Sequence, residues 1–344
     1  MMPPSLDPPT HEAAPSAPVT EDLAAGDADG QEDLLVAVPC PLCGSDRHRE
    51  LFRKTGHFWN QVKTRELSFA VNRCSGCGLD HVNPRLRPDL LAHHYAAHDL
   101  YVDLRGPQLA ARRAYFAETL DAIEAACREP SGEDTPRRLL DVACSEGTFI
   151  ALARERGWET EGIEISAPAA AHGRDILGLP IRTGRLEDTH YPDAAFDIVT
   201  VQSFLEHSED PVRLLTEVRR VLRPGGLLYA NVCNGRSLAA RLAKANWYNY
   251  DPVVHLNYFS PATLRRLART AGLTAIRVRS RGLGARFFQT AVTDSAASRR
   301  IDAWYTARGH SLPGLIRAKR WLSAGLSALG LGQTLIICAR RPAS

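Results

Sequence analysis

The stretch from Leu139 to Ser166 constrains this chain more than any other. Leu139, Leu140 and Val142 form a short apolar run that reads as a buried strand. Small residues follow at Ala143, Ser145 and Gly147, where a backbone can approach a ligand closely. Phe149, Ile150, Leu152 and Ala153 then recur at helical spacing, and Gly157 stops that helix. A second strand runs to Ile163, Glu164 and Ile165. Together these make one βαβ unit whose loop lies at the carboxyl end of the first strand, where open α/β sheets bind ligands.

A dinucleotide-binding loop needs glycines spaced G-x-G-x-x-G to seat a pyrophosphate on a helix N-terminus. This loop has Gly147 alone and does not fit. A βα turn that binds nothing is a further reading. The run Asp141-Val142-Ala143-Cys144-Ser145-Glu146-Gly147 resembles instead the D-x-G-x-G-x-G pattern of class I S-adenosylmethionine-dependent methyltransferases. The resemblance implies that Asp141 lies near the methionyl amine of the cofactor and that Ala143, Cys144, Ser145 and Gly147 pass beneath it. It also implies that Glu164, followed by Ile165, closes the second strand and grips the ribose hydroxyls. The two acceptor oxygens of Glu164 suit two vicinal donors. Ala143 and Ser145 stand where the family usually has glycine, so each adds a Cβ to the loop. Two more cofactor contacts carry over. One is Leu186, as an apolar or backbone contact, because Arg185 stands where the family often has Asp. The other is Gln202, at the end of the fourth strand.

Upstream, Cys40-Pro41-Leu42-Cys43-Gly44 is answered by Cys74-Ser75-Gly76-Cys77-Gly78. Each pair forms a tight knuckle, and two knuckles give a closed tetrahedral four-thiolate zinc site. Four thiolates leave no open coordination position, so the zinc is expected to be structural. Phe52, Phe58, Trp59 and Phe69 lie between the pairs and supply a small core. His48, His57 and His81 flank the site and read as packing or surface residues. Gly78 to Arg85, with Asn83-Pro84-Arg85, and then Pro88 to Tyr95 resemble a join found in many bacterial small-molecule methyltransferases between such knuckles and the catalytic domain.

The rest of the chain follows that family's order. A helix is expected over 107–127, another over 168–177, and a third strand over 181–183. Strand four ends at Gln202, and a helix with Leu214, Leu215, Val218, Val221 and Leu222 on one face stops at Pro224-Gly225-Gly226. Strand five is expected over 227–232. Ser260 and Pro261 open a further helix, strand six spans 274–278, and the segment from Gln333 supplies an antiparallel seventh strand. The predicted fold is α/β, a Rossmann-like seven-stranded methyltransferase sheet with its last strand antiparallel and a small N-terminal zinc ribbon. The expected divisions are a disordered acidic tail over 1–36, the ribbon over 37–90, a helical linker over 91–130 and the catalytic domain over 131–344. A helical insertion over 279–332 carries Leu315, Leu322, Leu326 and Leu329 on one face, with Arg317 and Arg320 off it, and reads first as a packed lid and second as a membrane-surface helix.

Methyl transfer is an in-line displacement at a carbon already activated by sulfonium, so the protein mainly positions a nucleophile and excludes water. Histidine suits proton removal from a hydroxyl or amine at neutral pH. Glu206-His207 resembles an E-H pair common in the family, including quinone-biosynthesis O-methyltransferases, where the pair is linked with metal or substrate binding. A role for His207 as a helix cap or backbone partner stands beside the catalytic one. The aromatic run from Asn246 to Pro261 falls where substrate loops of this fold gather, with Tyr250, His255 and Tyr258 as candidate acceptor-binding residues and His255 as a second candidate base. The same aromatics could instead pack the loop on the sheet.

No apolar run approaches the ~20 residues that cross a bilayer, and the first thirty residues lack a basic start with an apolar core, so a cytoplasmic protein is expected. The expected cofactor is S-adenosylmethionine, and the expected acceptor is a small or carrier-bound organic molecule such as a secondary-metabolite intermediate or sugar. An RNA acceptor is the second reading. It rests on the 15 Lys/Arg against two acids over 261–344 and on a similar order of modules in zinc-ribbon rRNA methyltransferases. Against it, the ribbon is not markedly basic and the aromatic loop resembles a pocket more than a stacking platform. A non-catalytic binding protein on the same fold is the third.

Overall fold

The computed structural model describes residues 34–60, 63–97, 106–127, 137–282 and 313–343 of the 344-residue chain. Its N-terminal strands are Leu35–Val36 (β1), His48–Asn60 (β2), Lys63–Cys74 (β3), Asp80–Val82 (β4) and Arg85–Leu86 (β5). β2 and β3 form a long antiparallel hairpin, and β4 adds to β3. Two helices follow, Pro88–Ala97 (α1) and Gly106–Cys127 (α2).

The main sheet then begins with Arg138–Val142 (β6), Thr148–Glu155 (α3), Glu159–Glu164 (β7), Ala167–Asp175 (α4) and Ile181–Thr183 (β8). The chain continues through Phe196–Gln202 (β9), Pro211–Val221 (α5), Leu222–Cys233 (β10), Leu238–Ala243 (α6), Asn257–Tyr258 (β11, outside the main sheet) and Pro261–Thr270 (α7). Thr274–Arg281 (β12), Pro313–Ala328 (α8) and Thr334–Arg340 (β13) complete it. The sheet order is β12-β13-β10-β9-β6-β7-β8. The last strand pairs antiparallel with both neighbours, while β6 through β10 pair parallel. The seven-stranded α/β sheet with an antiparallel last strand is therefore present. β6 lies between β7 and β9, from which the sheet builds outward in both directions, so the loop after β6 is at the point where the strand order reverses.

The helices form for the reasons their sequences suggest. In α5, Asp210 caps the first turn by accepting from the Arg213 amide (2.9 Å), and Leu214, Leu215, Val218 and Val221 bury one face against the sheet. α7 opens with a reciprocal capping pair in which Ser260 and Thr263 satisfy each other's backbone amides.

Several boundaries differ from expectation. Pro224-Gly225-Gly226 does not lie outside the strands, because β10 starts at Leu222 and carries the turn as a bulge. The Gly225 amide donates to the Arg341 carbonyl (3.1 Å) and the Arg341 amide to the Gly226 carbonyl (3.0 Å), which holds the bulge in the ladder. β12 runs on to Arg281, so residues 279–281 belong to the sheet rather than to an insertion. Leu34 to Val36 are not tail: Leu34 is buried and Leu35 pairs with Leu86. The rest of the acidic tail, the linker segments 98–105 and 128–136, the insertion over 283–312 and the side chains of Phe58, Trp59, Leu315, Arg317 and Arg320 lie outside the described residues. Of the insertion's apolar face, Leu326 packs into a hydrophobic cluster while Leu322 and Leu329 are exposed, so the described part of that face is only partly covered.

The ribbon is not a self-contained module. β11, from the segment before α7, pairs with β4 and makes the ribbon sheet four-stranded, in the order β11-β4-β3-β2. Phe69 shares its cluster with Trp247, Tyr250 and Tyr258 of that segment. Cys40, Leu42, Cys74 and Leu79 share another with Leu214, Val218 and Leu264 of the main domain.

A glycine sets one of the tightest approaches. A Cβ on Gly173 of α4 would collide with Ile181 Cδ1 and stand 2.8 Å from the Glu146 carbonyl oxygen. Gly173→Ala is therefore expected to destabilise the protein by about 1–3 kcal/mol. Gly325→Ala, in α8 with nothing within 4 Å of the new methyl, should gain about 0.5–1 kcal/mol from helix propensity. Denaturant midpoints of the two variants check the pair.

Candidate active site and metal centre

Asp141 to Gly147 leave β6 in a conformation that glycine would adopt more easily. Ala143 (φ 58°), Ser145 (φ 55°) and Gly147 (φ 90°) all lie in the left-handed region. For the two non-glycines this costs on the order of 1–2 kcal/mol each, which surrounding bonds must offset. The Cys144 amide donates to the Ile163 carbonyl (3.0 Å) and the Ser145 amide to Glu164 Oε2 (2.8 Å). The Ser145 hydroxyl donates to Glu146 Oε2 (2.6 Å), Thr148 Oγ1 donates to Glu146 Oε1, and Arg112 of α2 pairs with the same carboxylate at 3.3 Å. Sequence reasoning missed both Glu146 and Arg112. Glu146 occupies a variable position of the motif, and nothing in α2's pattern marks Arg112.

Beside the loop, Glu164 is almost buried, and its burial pushes the carboxyl above the usual range. Its Oε1 accepts from the Ser166 amide (2.8 Å), as Oε2 does from Ser145, and the Ile165 amide also favours the charged carboxylate. A cavity of about 1230 Å³ opens here. Ala143, Ser145, Glu164, Ile165, Leu186 and Gln202 line it, whereas Asp141, Cys144 and Gly147 do not. Asp141 lies beneath the floor, where Thr200 Oγ1 donates to its Oδ1 (2.5 Å) and burial pushes its carboxyl up to about 7. The Cys144 thiol faces the opposite side of the loop, where a Cβ on Gly162 would meet it at 2.6 Å, so its side chain packs the sheet. Gly147 supplies the backbone turn into α3: a Cβ there would stand 2.6 Å from Leu179 Cδ1.

Tyr95, Phe204 and His207 line the same cavity. Tyr95 of α1 bonds His207 Nδ1 through its hydroxyl (2.9 Å), and the Phe204 ring stacks on the imidazole at 6.4 Å. Burial, and then the neighbouring His255, hold the His207 pKa down at about 3, so the ring is neutral. His255 lies edge-on behind it at 4.6 Å, and its Nδ1–H donates to the Asn249 carbonyl (2.7 Å). Glu206 is buried, and its Oε1 accepts from the Cys233 amide (3.3 Å). Ligand atoms of Glu206, His207 and His255 lie within 4.8 Å of one another, but only His207 lines the cavity.

The expected acceptor residues Tyr250 and Tyr258 are placed elsewhere. Both are buried in the ribbon's cluster, ring against ring at 4.6 Å, and neither lines the cavity. Their aromatic area covers the β2–β3 hairpin, so their pattern reads as packing.

Residues 109–278 match the family model described as "Methyltransferase domain". The chain carries a methyltransferase domain of class I type. Over 156 residues it is 26% identical to a ubiquinone biosynthesis O-methyltransferase of Idiomarina loihiensis, covering 41% of this chain and 63% of that one. Over 135 residues it is 31% identical to a malonyl-[acyl-carrier protein] O-methyltransferase of Serratia marcescens, covering 39% of this chain and 52% of that one. The chain thus spans between about half and two thirds of the length of these curated relatives. Among solved structures, a SAM-dependent methyltransferase of Archaeoglobus fulgidus aligns with a TM-score of 0.46 at 19% identity, covering 67% of this chain and 94% of that one.

The methyltransferase domain meets the cysteine knuckles along one wall of the cavity, where Val38 to Leu42 contribute lining. Cys40 Sγ lies 3.5 Å from Cys77 Sγ, and Cys43 Sγ 3.5 Å from Cys74 Sγ. All four sulfurs fall within 4.8 Å of one another. A tetrahedral zinc with bonds of about 2.3 Å has sulfur–sulfur edges of about 3.8 Å, so the cluster has the dimensions of such a site. The Gly44 and Gly78 amides donate to the Cys40 and Cys74 carbonyls (2.8 and 3.0 Å), which closes each knuckle.

If these thiolates hold zinc, elemental analysis should return one zinc per chain, and Cys74→Ser should abolish it. Because the knuckles share their buried cluster with α5 and α7, the variant is expected to lower the melting transition of the whole protein rather than release a separate early one. A wild-type value near two would place a second ion at Glu206, His207 and His255, a donor set of one carboxylate and two imidazoles.

Proposed function

We propose that the protein is an S-adenosylmethionine-dependent methyltransferase acting on a small or carrier-bound organic acceptor, with a structural zinc in its N-terminal ribbon. The observation that carries this reading is one cavity lined both by Glu164 with the strained loop and by a partly buried, neutral histidine. The enzyme activity of the matched family and the small-molecule or carrier substrates named for the relatives support it.

Glu164 lines the cavity, and its two acceptor oxygens suit two vicinal ribose hydroxyls. Leu186 and Ile165 supply apolar walls for the adenine end, and the backbone of Ala143 to Ser145 forms the floor. S-adenosylmethionine, when bound, supplies a methyl group on a sulfonium. His207 accepts the proton of the acceptor's hydroxyl or amine as the nucleophile attacks; being neutral, it has a ring lone pair for this. The Tyr95 hydroxyl fixes its orientation, and Phe204 with the knuckle residues Pro41 and Leu42 keeps water from the acceptor.

Glu164→Gln places an amide NH₂ against one of two backbone amides and removes a ribose acceptor. Cofactor affinity is expected to fall at least about tenfold, or about 1.4 kcal/mol, with the fold retained. Calorimetric titration with S-adenosylmethionine measures it, and unchanged affinity would reject the assignment of the carboxylate.

Asp141 generates a pH signature. Its carboxyl titrates near 7 because burial disfavours the charge. Below that pH it is protonated, and a cofactor ammonium in the cavity above the floor would draw the proton off through space. Binding should therefore release a proton between about pH 6 and 7 and release none above about pH 8.5. Titrations in buffers of different ionisation enthalpy detect the release, and Asp141→Asn should remove the buffer dependence.

A further inference from the structure

Arg85 closes the Asn83-Pro84-Arg85 join and lies in β5, pressed against the segment that follows His207. It is 9% exposed and lines the cavity. Its Nη1 donates to the Glu209 carbonyl (3.1 Å), while its buried Nε has no partner. Among the described residues Arg85 forms no ion pair, although two carboxylates are near. Glu209 is engaged by Arg185 (2.9 Å), and Asp210 accepts from the Arg213 amide at the start of α5. A guanidinium taken out of water with a single carbonyl contact is an unfavourable arrangement unless something else meets its remaining donors.

The position gives that arrangement a use. Arg85 Nη1 touches the backbone of Glu209, two residues beyond His207, while the Glu209 carboxylate reaches Arg185 beside Leu186, so the guanidinium lines the cavity between the histidine wall and the Leu186 contact. Pro41, Leu91 and Ala92 are among the apolar residues that line the same cavity. The planar fork of a guanidinium matches the two oxygens of a carboxylate or phosphate, and partial burial strengthens such a bond.

We infer that Arg85 binds an oxyanion, a carboxylate or a phosphate group, carried by the methyl acceptor. This rests on the methyl-transfer reading of the cavity and narrows it: the acceptor is anionic, with an apolar portion beside the charge. Arg85 is a binding residue, and the Glu209 carbonyl fixes its orientation.

The test uses the full chain and three probes that share a ring: phenyl phosphate, benzoate and the neutral benzamide. Thermal-shift and calorimetric titrations up to about 20 mM measure binding, and S-adenosylhomocysteine is titrated in parallel. Phenyl phosphate or benzoate is expected to bind the wild type while benzamide does not, and which anion binds tells phosphate from carboxylate. Arg85→Gln should weaken the bound anion at least about tenfold while S-adenosylhomocysteine affinity stays within about twofold. Arg85→Lys keeps the charge and loses the fork, so it should weaken the anion by about threefold or more. It decides the matter if Arg85→Gln does not fold. The inference is overturned if neither anion binds, or if the anion binds the folded variant as tightly as the wild type. Failure of S-adenosylhomocysteine to bind the wild type would instead strike the methyl-transfer reading and leave the anion result standing.

Discussion

Two amide donors converge on the Glu164 carboxylate, and the candidate site depends on that convergence. The Ser145 amide comes from the loop after β6 and the Ser166 amide from the turn into α4, so one side chain ties two crossovers of the sheet together. The bond to Ser145 also helps to hold Ala143 and Ser145 in left-handed conformations they would not adopt alone. Glu146, gripped by Ser145, Thr148 and Arg112, braces the same loop from the other side. The loop is thus fixed before any ligand arrives, which lowers the ordering cost of binding.

The other organising contact joins ribbon and main domain. The carbonyl of Glu206 accepts from both the Leu256 and Asn257 amides (2.7 and 3.0 Å), which draws the strand β11 alongside β4. Asp80 on β4 is buried and takes a two-point ion pair from Arg73 (2.7 and 3.0 Å), with Arg236 of the main domain at 3.4 Å. Removing one member of such a buried set leaves an uncompensated charge, so these contacts fix geometry as much as they stabilise it. The residue that offers its backbone to β11 precedes His207, and the ribbon's attachment therefore also positions the histidine wall. The knuckles in turn become cavity lining, which couples the cysteine quartet to the candidate site.

Much of the fold was legible in the residues themselves. The βαβ unit, the capped helices α5 and α7 and the antiparallel last strand each rest on local periodicity and capping chemistry, and these act within a few residues. The four cysteines are legible for a similar reason, since two tight turns need only their own glycines to present thiolates. The limits were also local: the bulge at Pro224 to Gly226 reads as a stop until the backbone of Arg341, more than a hundred residues away, is seen to pair with it.

What the sequence alone determined was most elements of the main sheet, the cysteine quartet and the chemical character of the loop after β6; it did not determine the β2–β3 hairpin or β11. Tertiary structure decided which side chains face a common space. Tyr250 and Tyr258 look like pocket residues by composition, but the hairpin they must cover buries them. Cys144 and Asp141 belong to the motif, yet strand alternation and the left-handed turns aim them below the floor. Arg112 carries no local signal, because a charged residue in a helix is ordinary in sequence, and Arg85 is marked only as part of the Asn83-Pro84-Arg85 join, with no sign of a binding role. They reach the cavity only because β5 and α2 fold over the carboxyl ends of distant strands. Spacing along the chain governs backbone form over a turn or two, whereas burial and charge pairing depend on neighbours that long-range packing brings together.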